Sequence, residues 1–160
     1  MKVLLAGGRP FAALAVLGLG AVGLALVTQH GFEMLPCPWC ILQRMIFVAI
    51  AIAALPGALL ASPAVRKASA ALVLLLALCG VAAALWQHFV AASSASCDMT
   101  LADRIVTGSG LDALLPGVFA PWASCADAAA TLLGVPYEFY SLTLFLIGAA
   151  VALWLLLRRA

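Results

Sequence analysis

Four stretches of about 20 residues carry almost no charge, and they limit what this chain can fold into more than any other feature. The stretches cover residues 11–30, 41–61, 68–90 and 139–157, and Arg44 is the one charged residue inside them. About 20 helical residues span a hydrocarbon core roughly 30 Å thick. Because lipid offers no partner to backbone N–H and C=O groups, segments of this length must be helices. We therefore predict an all-α membrane protein, a four-transmembrane-helix bundle that forms a single integral membrane domain over residues 1–160.

The overall composition excludes several other classes of protein. Hydrophobic residues make up 67% of the chain and charged residues 9%, whereas about 25% of the residues of a typical soluble domain are charged. The net charge is +2 and no run of Lys or Arg is longer than two residues, so the chain lacks the basic stripe that nucleic-acid binding requires. We therefore expect this protein to reside in a lipid bilayer and to bind no nucleic acid.

Small residues recur inside two of the predicted spans and predict close helix contacts. Gly18, Gly20 and Gly23 lie in the first span, and Gly80 lies in the third, followed by alanines at positions 82–84. Lipid supplies no hydrophobic drive between helices, so small residues that let two backbones approach become important for packing. We expect a compact bundle.

Basic residues at the ends of the spans predict the orientation of the chain. Six of them lie at the termini and in the turn after the second span: Lys2, Arg9, Arg66, Lys67, Arg158 and Arg159. Cytoplasmic segments are enriched in Lys and Arg, so we expect both termini and the turn after the second span to be cytoplasmic, and we consider the case of a multi-pass protein of a bacterial inner membrane. Residues 31–40 and 91–138 then form periplasmic loops, and the long loop between helices 3 and 4 contains five acidic residues and one basic residue.

Residues 1–25 also fit a cleaved signal peptide, which is an alternative for the first span. A basic start is followed by an apolar run and by a small-x-small site at Gly23-Leu24-Ala25. The apolar run continues through Val27 without a polar break, which favours an uncleaved span. Cleavage would leave the orientation of the later spans unchanged.

Four of the five cysteines lie in the two predicted outer connections. They are Cys37, Cys40, Cys97 and Cys125, and the fifth, Cys79, lies in the middle of the third span. The outer side of a bacterial inner membrane is an oxidising compartment, in which thiols pair. A buried thiol packs as a small apolar side chain, so we expect Cys79 to serve packing, with a redox role as the alternative.

The segment Cys37-Pro38-Trp39-Cys40 directly precedes the second span. Two thiols at this spacing can close a small disulfide ring, and the positive end of a helix stabilises the thiolate that exchange chemistry needs. The alternative is a structural zinc site made of this pair with Cys97 and Cys125. A second CxxC is missing and the compartment is oxidising, so the pattern favours redox chemistry and no metal.

Arg44 and His88 are the two polar candidates near this motif. Arg44 stands four residues after Cys40, so both lie on one helix face. An ionisable residue inside a span indicates a functional site, although an arginine close to the surface also snorkels to the headgroups. His88 lies at the outer end of the third span at nearly the same depth, where it could be an ordinary interfacial residue. Together, a cation and an imidazole beside a reactive thiol could hold the two oxygens of a lipid-soluble quinone.

The long loop carries scattered apolar residues among charged ones, interrupted by a Gly-Ser-Gly segment. This pattern fits either short segments on the membrane surface or an irregular loop packed on the helix ends. Cys97 and Cys125 lie 28 positions apart at its two ends, and a disulfide between them would be worth about 3–4 kcal/mol as a structural staple. With a second cysteine pair at the membrane, the same disulfide could instead deliver electrons to that pair.

Together these features resemble the disulfide bond formation protein B (DsbB) family of inner-membrane thiol oxidases. The resemblance covers nearly the whole chain: four spans, CPWCILQR at residues 37–44, Gln87-His88 at the end of the third span, Cys97-Asp98, and Cys125-Ala126 before the fourth. One departure is Gln43, where some members have an acidic residue before the arginine. That difference affects the details of the site and leaves the rest of the resemblance unchanged.

The resemblance implies a quinone-dependent protein-thiol oxidoreductase that generates disulfides. Cys97–Cys125 would oxidise a periplasmic, thioredoxin-fold dithiol protein of the DsbA type, with Cys97 forming the mixed disulfide and Cys125 pairing transiently with Cys37. Cys37–Cys40 would reoxidise that pair and pass the electrons to a membrane quinone, either ubiquinone or menaquinone. Cys40 would face the quinone, and the residues near its ring would be Arg44 and His88.

Three rival functions remain as alternatives. A vitamin K epoxide reductase-like thiol oxidase has its loop cysteines before the CxxC, whereas here the CxxC comes first. A carrier of reductant across the membrane would need paired cysteines inside the spans, where only Cys79 lies. A zinc-stapled membrane scaffold without enzymatic activity would use the four outer cysteines as ligands.

Overall fold

Four long helices dominate the computed structural model, which describes residues 2–93 and 99–158. In chain order the helices are α1 (Lys2–Gly31), α2 (Pro38–Leu59), α3 (Pro63–Phe89), α4 (Leu101–Ser109), α5 (Leu111–Leu114), α6 (Pro116–Phe119) and α7 (Tyr137–Leu157). A 3₁₀ turn covers Ala91–Ser93, and the strands β1 (Thr131–Leu132) and β2 (Val135–Pro136) form a short antiparallel hairpin. α1, α2, α3 and α7 are each long and apolar enough to cross a membrane. The predicted four-transmembrane-helix bundle is confirmed.

Prolines set the start of two membrane helices. Pro38 and Pro63 occupy the first turns of α2 and α3, where the missing N–H has no helical partner to lose. Each helix therefore begins a few residues before the apolar stretch from which we predicted its span. Hydropathy identifies the residues that lie in lipid, whereas the residues at the N-terminus of the helix determine where the helix begins.

The bundle packs in the order α1, α2, α3, α7, and the seam between α7 and α1 is the loosest of the four. At its centre, the rings of Phe47 on α2 and Phe145 on α7 stack with centroids 4.0 Å apart and an interplanar angle of 6°. Gly80 makes room for this pair, because a Cβ at this position would lie 2.4 Å from the Phe145 ring. The core is therefore tight on the side away from the α1–α7 seam.

A second close contact between helices forms at Gly18 of α1. A Cβ there would lie 2.5 Å from the backbone carbonyl oxygen of Phe47, so only glycine fits without displacing α1 from α2. Gly20 and Gly23 face open space instead. Of the four glycines from which we predicted close contacts, Gly18 and Gly80 lie at such contacts, and the expectation is wrong for Gly20 and Gly23.

The long connection between α3 and α7 packs on the end of the bundle as short helices. Thr100 and Asp103 form a capping box at the start of α4, which satisfies N–H groups of the first turn. Ala102 and Val106 on one face of α4 are fully buried, and Val106 packs with Ile41 of α2. The connection therefore forms short helices instead of an irregular loop, and α4 packs on the helix ends, so the structure has a feature of each alternative that the sequence left open.

Candidate functional site

Cys37 and Cys40 lie together at the start of α2. Cys37 is the N-cap residue and is fully buried, and its Sγ lies 2.8 Å from the Sγ of Cys40. The backbone N–H of Cys40 donates to the Cys37 sulfur at 3.3 Å. Both residues are free thiols in this structure. The spacing of the motif thus brings the two sulfurs side by side, as its sequence predicted.

Cys125 reaches the same place from the long connection. The backbone N–H groups of Trp122 and Ala123 donate to the carbonyl oxygen of Pro36 at 2.9 and 3.3 Å, which ties this segment to the residue before Cys37. The thiols of Cys125 and Cys37 are hydrogen-bonded to each other. That bond raises the pKa of Cys37, with a further contribution from Cys40, and it lowers the pKa of Cys125. In the reduced protein the proton therefore stays on Cys37, and Cys125 is the readier thiolate.

The remaining two cysteines are Cys97 and Cys79. Cys97 lies outside the described residues, so its predicted disulfide with Cys125 stays a prediction. Cys79 is exposed on α3, which differs from the packed thiol that we expected, because this side of α3 faces away from the bundle. It lines a groove that contains none of the other described cysteines.

Arg44 is held inside the bundle by three hydrogen bonds. Its Nη1 donates to Oε1 of Gln29 at 2.6 Å and to the carbonyl oxygen of Val118 at 2.9 Å, and its Nη2 donates to the carbonyl oxygen of Ala25 at 3.4 Å. The residue is 6% exposed. Arg44 therefore points inward, and the snorkelling alternative is wrong for this side chain.

Two glutamines that the sequence analysis did not single out as site residues lie next to Cys40. Nε2 of Gln87 on α3 donates to Sγ of Cys40 at 3.3 Å, and Nε2 of Gln43 donates to Oε1 of Gln87 at 2.7 Å. Both side chains are buried. The signal that could have found them is that an amide inside an apolar span needs a buried polar partner.

His88 is tied to α7. Its Nδ1 lies 2.6 Å from Oε1 of Glu138, and its ring meets the rings of Phe89 and Phe139 edge-on. The His88 side chain is 31% exposed and that of Glu138 is 10% exposed. His88 does not line the cavity next to Cys40, whereas Glu138 does. Its predicted place beside a quinone ring stays a prediction.

A cavity of about 80 Å³ opens at the loose seam between α1 and α7. Cys40 and Arg44 line it from α2, and Gln87 lines it from α3. The other walls are mostly apolar and include Leu24, Phe47 and Leu144, with polar groups from α7 on one side. A reactive thiol, a cation and an amide thus border one apolar space that faces the lipid seam.

A larger groove of about 700 Å³ lies on the other side of α2, between α2, α3 and α4. Trp39, Trp86 and Cys79 line it, and neither Cys40 nor Arg44 does. The Nε1 atom of Trp39 is buried without a hydrogen-bond partner among the described residues. This groove therefore lacks the chemistry that the smaller cavity contains.

Metal ligands do not cluster in the part of the chain that the structure describes. Over residues 2–93 and 99–158 no group of three or more His, Cys, Asp or Glu side chains is arranged to hold a metal ion. The zinc alternative therefore gains no support from the described side chains.

Comparison with known proteins identifies the family. The family described as "Disulfide bond formation protein DsbB" matches residues 8–155. A "Disulfide bond formation protein B" from Aromatoleum aromaticum is 34% identical over 145 residues, covering 88% of this chain and 86% of the relative. One from Pseudomonas syringae pv. tomato is 36% identical over 137 residues, covering 85% and 81%, and one from Ralstonia nicotianae is 33% identical over 150 residues, covering 93% of each. The chain therefore belongs to the DsbB family, and is a multi-pass protein of the bacterial inner membrane with an oxidoreductase role in disulfide bond formation.

Proposed function

We propose that this protein reoxidises a soluble, DsbA-like dithiol protein of the thioredoxin fold in the periplasm and passes the electron pair to a membrane quinone. The observation that carries the proposal is the position of Cys37, whose thiol contacts Cys125 on one side and Cys40 on the other. A sulfur between two others is the arrangement that transfers a disulfide from one pair to the next.

The first step takes place at the long connection. The partner's two thiols are oxidised to a disulfide while the Cys97–Cys125 disulfide is reduced to two thiols, with Cys97 forming the intermediate mixed disulfide. Attack on Cys97 releases Cys125 as the leaving sulfur, and the packing of Cys125 against Cys37 leaves it ready for the next step.

The second step moves the electron pair to the membrane. The Cys125 thiolate attacks Sγ of Cys37, the Cys37–Cys40 bond breaks, and Cys40 leaves as a thiolate. Cys97 then attacks Cys125 and releases Cys37, which leaves Cys97–Cys125 oxidised and the other pair reduced. The contact between the Cys37 and Cys125 thiols supports this route.

The cavity at the α1–α7 seam fits the acceptor chemically. A quinone presents two carbonyl oxygens and an apolar ring, and here Arg44 has five N–H groups, of which its three hydrogen bonds use three. The donors on Nε and on Nη2 remain for a ligand among the described contacts, and Leu24 and Phe47 supply apolar walls. An apolar cavity of roughly 150 Å³ takes up benzene, so α1 and α7 must part further to admit a substituted ring.

A quinone bound here would supply the acceptor for the two electrons and two protons that the Cys37 and Cys40 thiols give up when they return to a disulfide. Glu138 lines the cavity and is hydrogen-bonded to His88, whose ring reaches the molecular surface. We assign to His88 a place at the acceptor site through this contact with Glu138.

The experiment uses a partner that lacks its resolving cysteine. After its remaining thiolate attacks Cys97, this partner cannot release itself, so the adduct should accumulate at Cys97 while Cys125 becomes bonded to Cys37. Non-reducing gels and mass spectrometry of the linked peptides identify both bonds, and a Cys79→Ala variant is the matched control because it should behave as the unmodified protein. A partner bonded to Cys37 or Cys40, with Cys97–Cys125 intact, would refute the relay.

The orientation is part of the same proposal, with both termini in the cytoplasm and residues 31–40 and 91–138 on the periplasmic side. Reduced, intact spheroplasts are treated with a membrane-impermeant thiol reagent. Labelling should occur at Cys97 or Cys125 and spare Cys79. Labelling that requires permeabilised cells would show the opposite orientation.

A further inference from the structure

Two buried amide side chains form a chain of hydrogen bonds that ends on the sulfur of Cys40. Gln43 lies three residues after Cys40 on α2, and Gln87 reaches across from α3. The bonds run from Nε2 of Gln43 to Oε1 of Gln87 at 2.7 Å, and from Nε2 of Gln87 to Sγ of Cys40 at 3.3 Å. Gln43 is 3% exposed and Gln87 is 7% exposed, so neither can exchange its partner for bulk water.

The order of the two bonds fixes which end of the Gln87 amide faces the sulfur. A glutamine side chain has one acceptor oxygen and one donor NH₂ group. Because the NH₂ of Gln43 occupies the oxygen of Gln87, the NH₂ of Gln87 is turned toward Cys40. Beside the Cys40 thiolate, which has no S–H to donate, the reversed amide would place an oxygen lone pair against a sulfur lone pair, and it would leave two donors facing each other at Gln43.

We propose that Gln87 is a catalytic hydrogen-bond donor that stabilises the Cys40 thiolate, and that Gln43 is the positioning residue that holds its amide in the donating orientation. The inference rests on the proposed function, in which Cys40 leaves as a thiolate. Hydrogen bonds to charged groups are roughly twice as strong as those between neutral groups, so the contact stabilises the thiolate more than the thiol. Exchange is then favoured because the leaving sulfur is the stabilised one.

Gln87 and Arg44 have separable effects on Cys40. Arg44 lines the same cavity and uses its recorded bonds on Gln29, Val118 and Ala25, so it contributes charge to the site without a hydrogen bond to the sulfur. Gln87 contributes a directed neutral donor. The other titratable groups on the cavity walls are Tyr137, Glu138 and Tyr140 of α7, and substitution of Gln87 leaves all of them in place.

The test measures the alkylation rate of Cys40 by iodoacetamide in the fully reduced protein, without partner or quinone. Peptide mass spectrometry follows Cys40 and Cys79 in the same sample, and Cys79 reports the access of the reagent to the apolar region. Gln87→Leu should slow alkylation of Cys40 at pH 7 by about tenfold and move its pH profile to higher pH, with Cys79 unchanged. Gln87→Met, which keeps an unbranched side chain without a donor, should show the same loss.

Gln43 is tested by a double-mutant cycle. Gln43→Leu should slow Cys40 alkylation by a smaller factor, about threefold, because the amide of Gln87 is then free to turn. In the Gln87→Leu background the same change should have no further effect. The matched control is Trp86→Phe, which alters the residue before Gln87 on the opposite groove and should leave the Cys40 rate unchanged.

The outcomes separate this inference from the proposed relay. An unchanged or faster Cys40 rate in both Gln87 variants, or an equal slowing of Cys40 and Cys79, would overturn the role of Gln87. An effect of Gln43→Leu that persists in the Gln87→Leu background would overturn the positioning role of Gln43. The trapped adduct at Cys97 tests the relay by itself, since it depends on neither glutamine.

Discussion

Replacement of Gly18 by alanine tests the close contact between α1 and α2, and replacement of Gly20 is its matched control. A Cβ on Gly18 would lie 2.5 Å from the Phe47 carbonyl oxygen and 3.4 Å from Cβ of Ala51, whereas a Cβ on Gly20 would meet nothing within 4 Å. Both glycines lie in the interior of the same helix two residues apart. The two substitutions therefore share the gain in helix propensity and differ in the clash.

The magnitude follows from these two terms. Alanine is favoured over glycine in a helix interior by about 1 kcal/mol, so Gly20→Ala should leave the free energy of unfolding unchanged or raise it by up to that amount. Overpacking typically costs about 1–3 kcal/mol, and the clash at Gly18 is with a backbone oxygen that cannot rotate away. Gly18→Ala should therefore be less stable than Gly20→Ala by about 1–3 kcal/mol.

The same displacement should reach the cavity. Ala25 and Gln29 on α1 accept hydrogen bonds from Arg44, so a helix pushed away from α2 lengthens these bonds. Unfolding of purified protein by a denaturing detergent, followed by tryptophan fluorescence, gives the stability of each variant. Quinone titration of the activity gives the effect on Arg44, and we expect the Michaelis constant to rise for Gly18→Ala alone. Equal stabilities for the two variants would refute the tight α1–α2 contact.

Three further predictions concern single side chains. Arg44→Ala should raise the Michaelis constant for quinone by about tenfold or more while one turnover with the reduced partner survives, and an unchanged quinone dependence would exclude Arg44 from the acceptor site. Cys37→Ala removes the hydrogen bond that lowers the pKa of Cys125, so the pH midpoint for alkylation of Cys125 should rise toward that of an ordinary thiol, and a fall would contradict the assignment of the proton. Thr100→Ala removes the cap of α4 that pairs with Asp103, which should destabilise that helix by about 1 kcal/mol and speed amide hydrogen exchange in its first turn but not in α2.

The spans and the CxxC pair could be predicted from the sequence because each depends on local information. The length of an apolar stretch and the spacing of Cys37 and Cys40 are properties of consecutive residues. Arg44 also stood out, since a charge inside a span is rare. The sequence left open whether the Arg44 guanidinium points into the bundle or toward the lipid headgroups. Its inward direction depends on Gln29 and on a carbonyl oxygen of the long connection, which is distant in sequence.

The residues that the sequence did not reveal all act through partners from other helices. Gln87 was noted only as part of the Gln87-His88 pair at the end of the third span, and its contact with Cys40 requires α3 to lie beside α2. His88 was expected at the outer end of the third span, and its bond to Glu138 of α7 was not foreseen because that acid was counted as a loop charge. Gly18 and Gly20 could not be told apart, since the residues around both on α1 are apolar and the buried face shows no pattern of its own.

The backbone hydrogen bonds from residues 122 and 123 to the Pro36 carbonyl oxygen set the effective concentration at which Cys125 meets Cys37 in the proposed exchange. The attack is a first-order event within one molecule, and these bonds hold Cys125 beside Cys37. A flexible tether gives an effective concentration on the order of millimolar, and fixed alignment raises that value by several orders of magnitude. Small thiols at about millimolar concentration should therefore compete poorly for Cys37. These hydrogen bonds use main-chain groups, so only a proline at position 122 or 123 would remove a donor. Other substitutions there should leave Cys37 equally protected from small thiols.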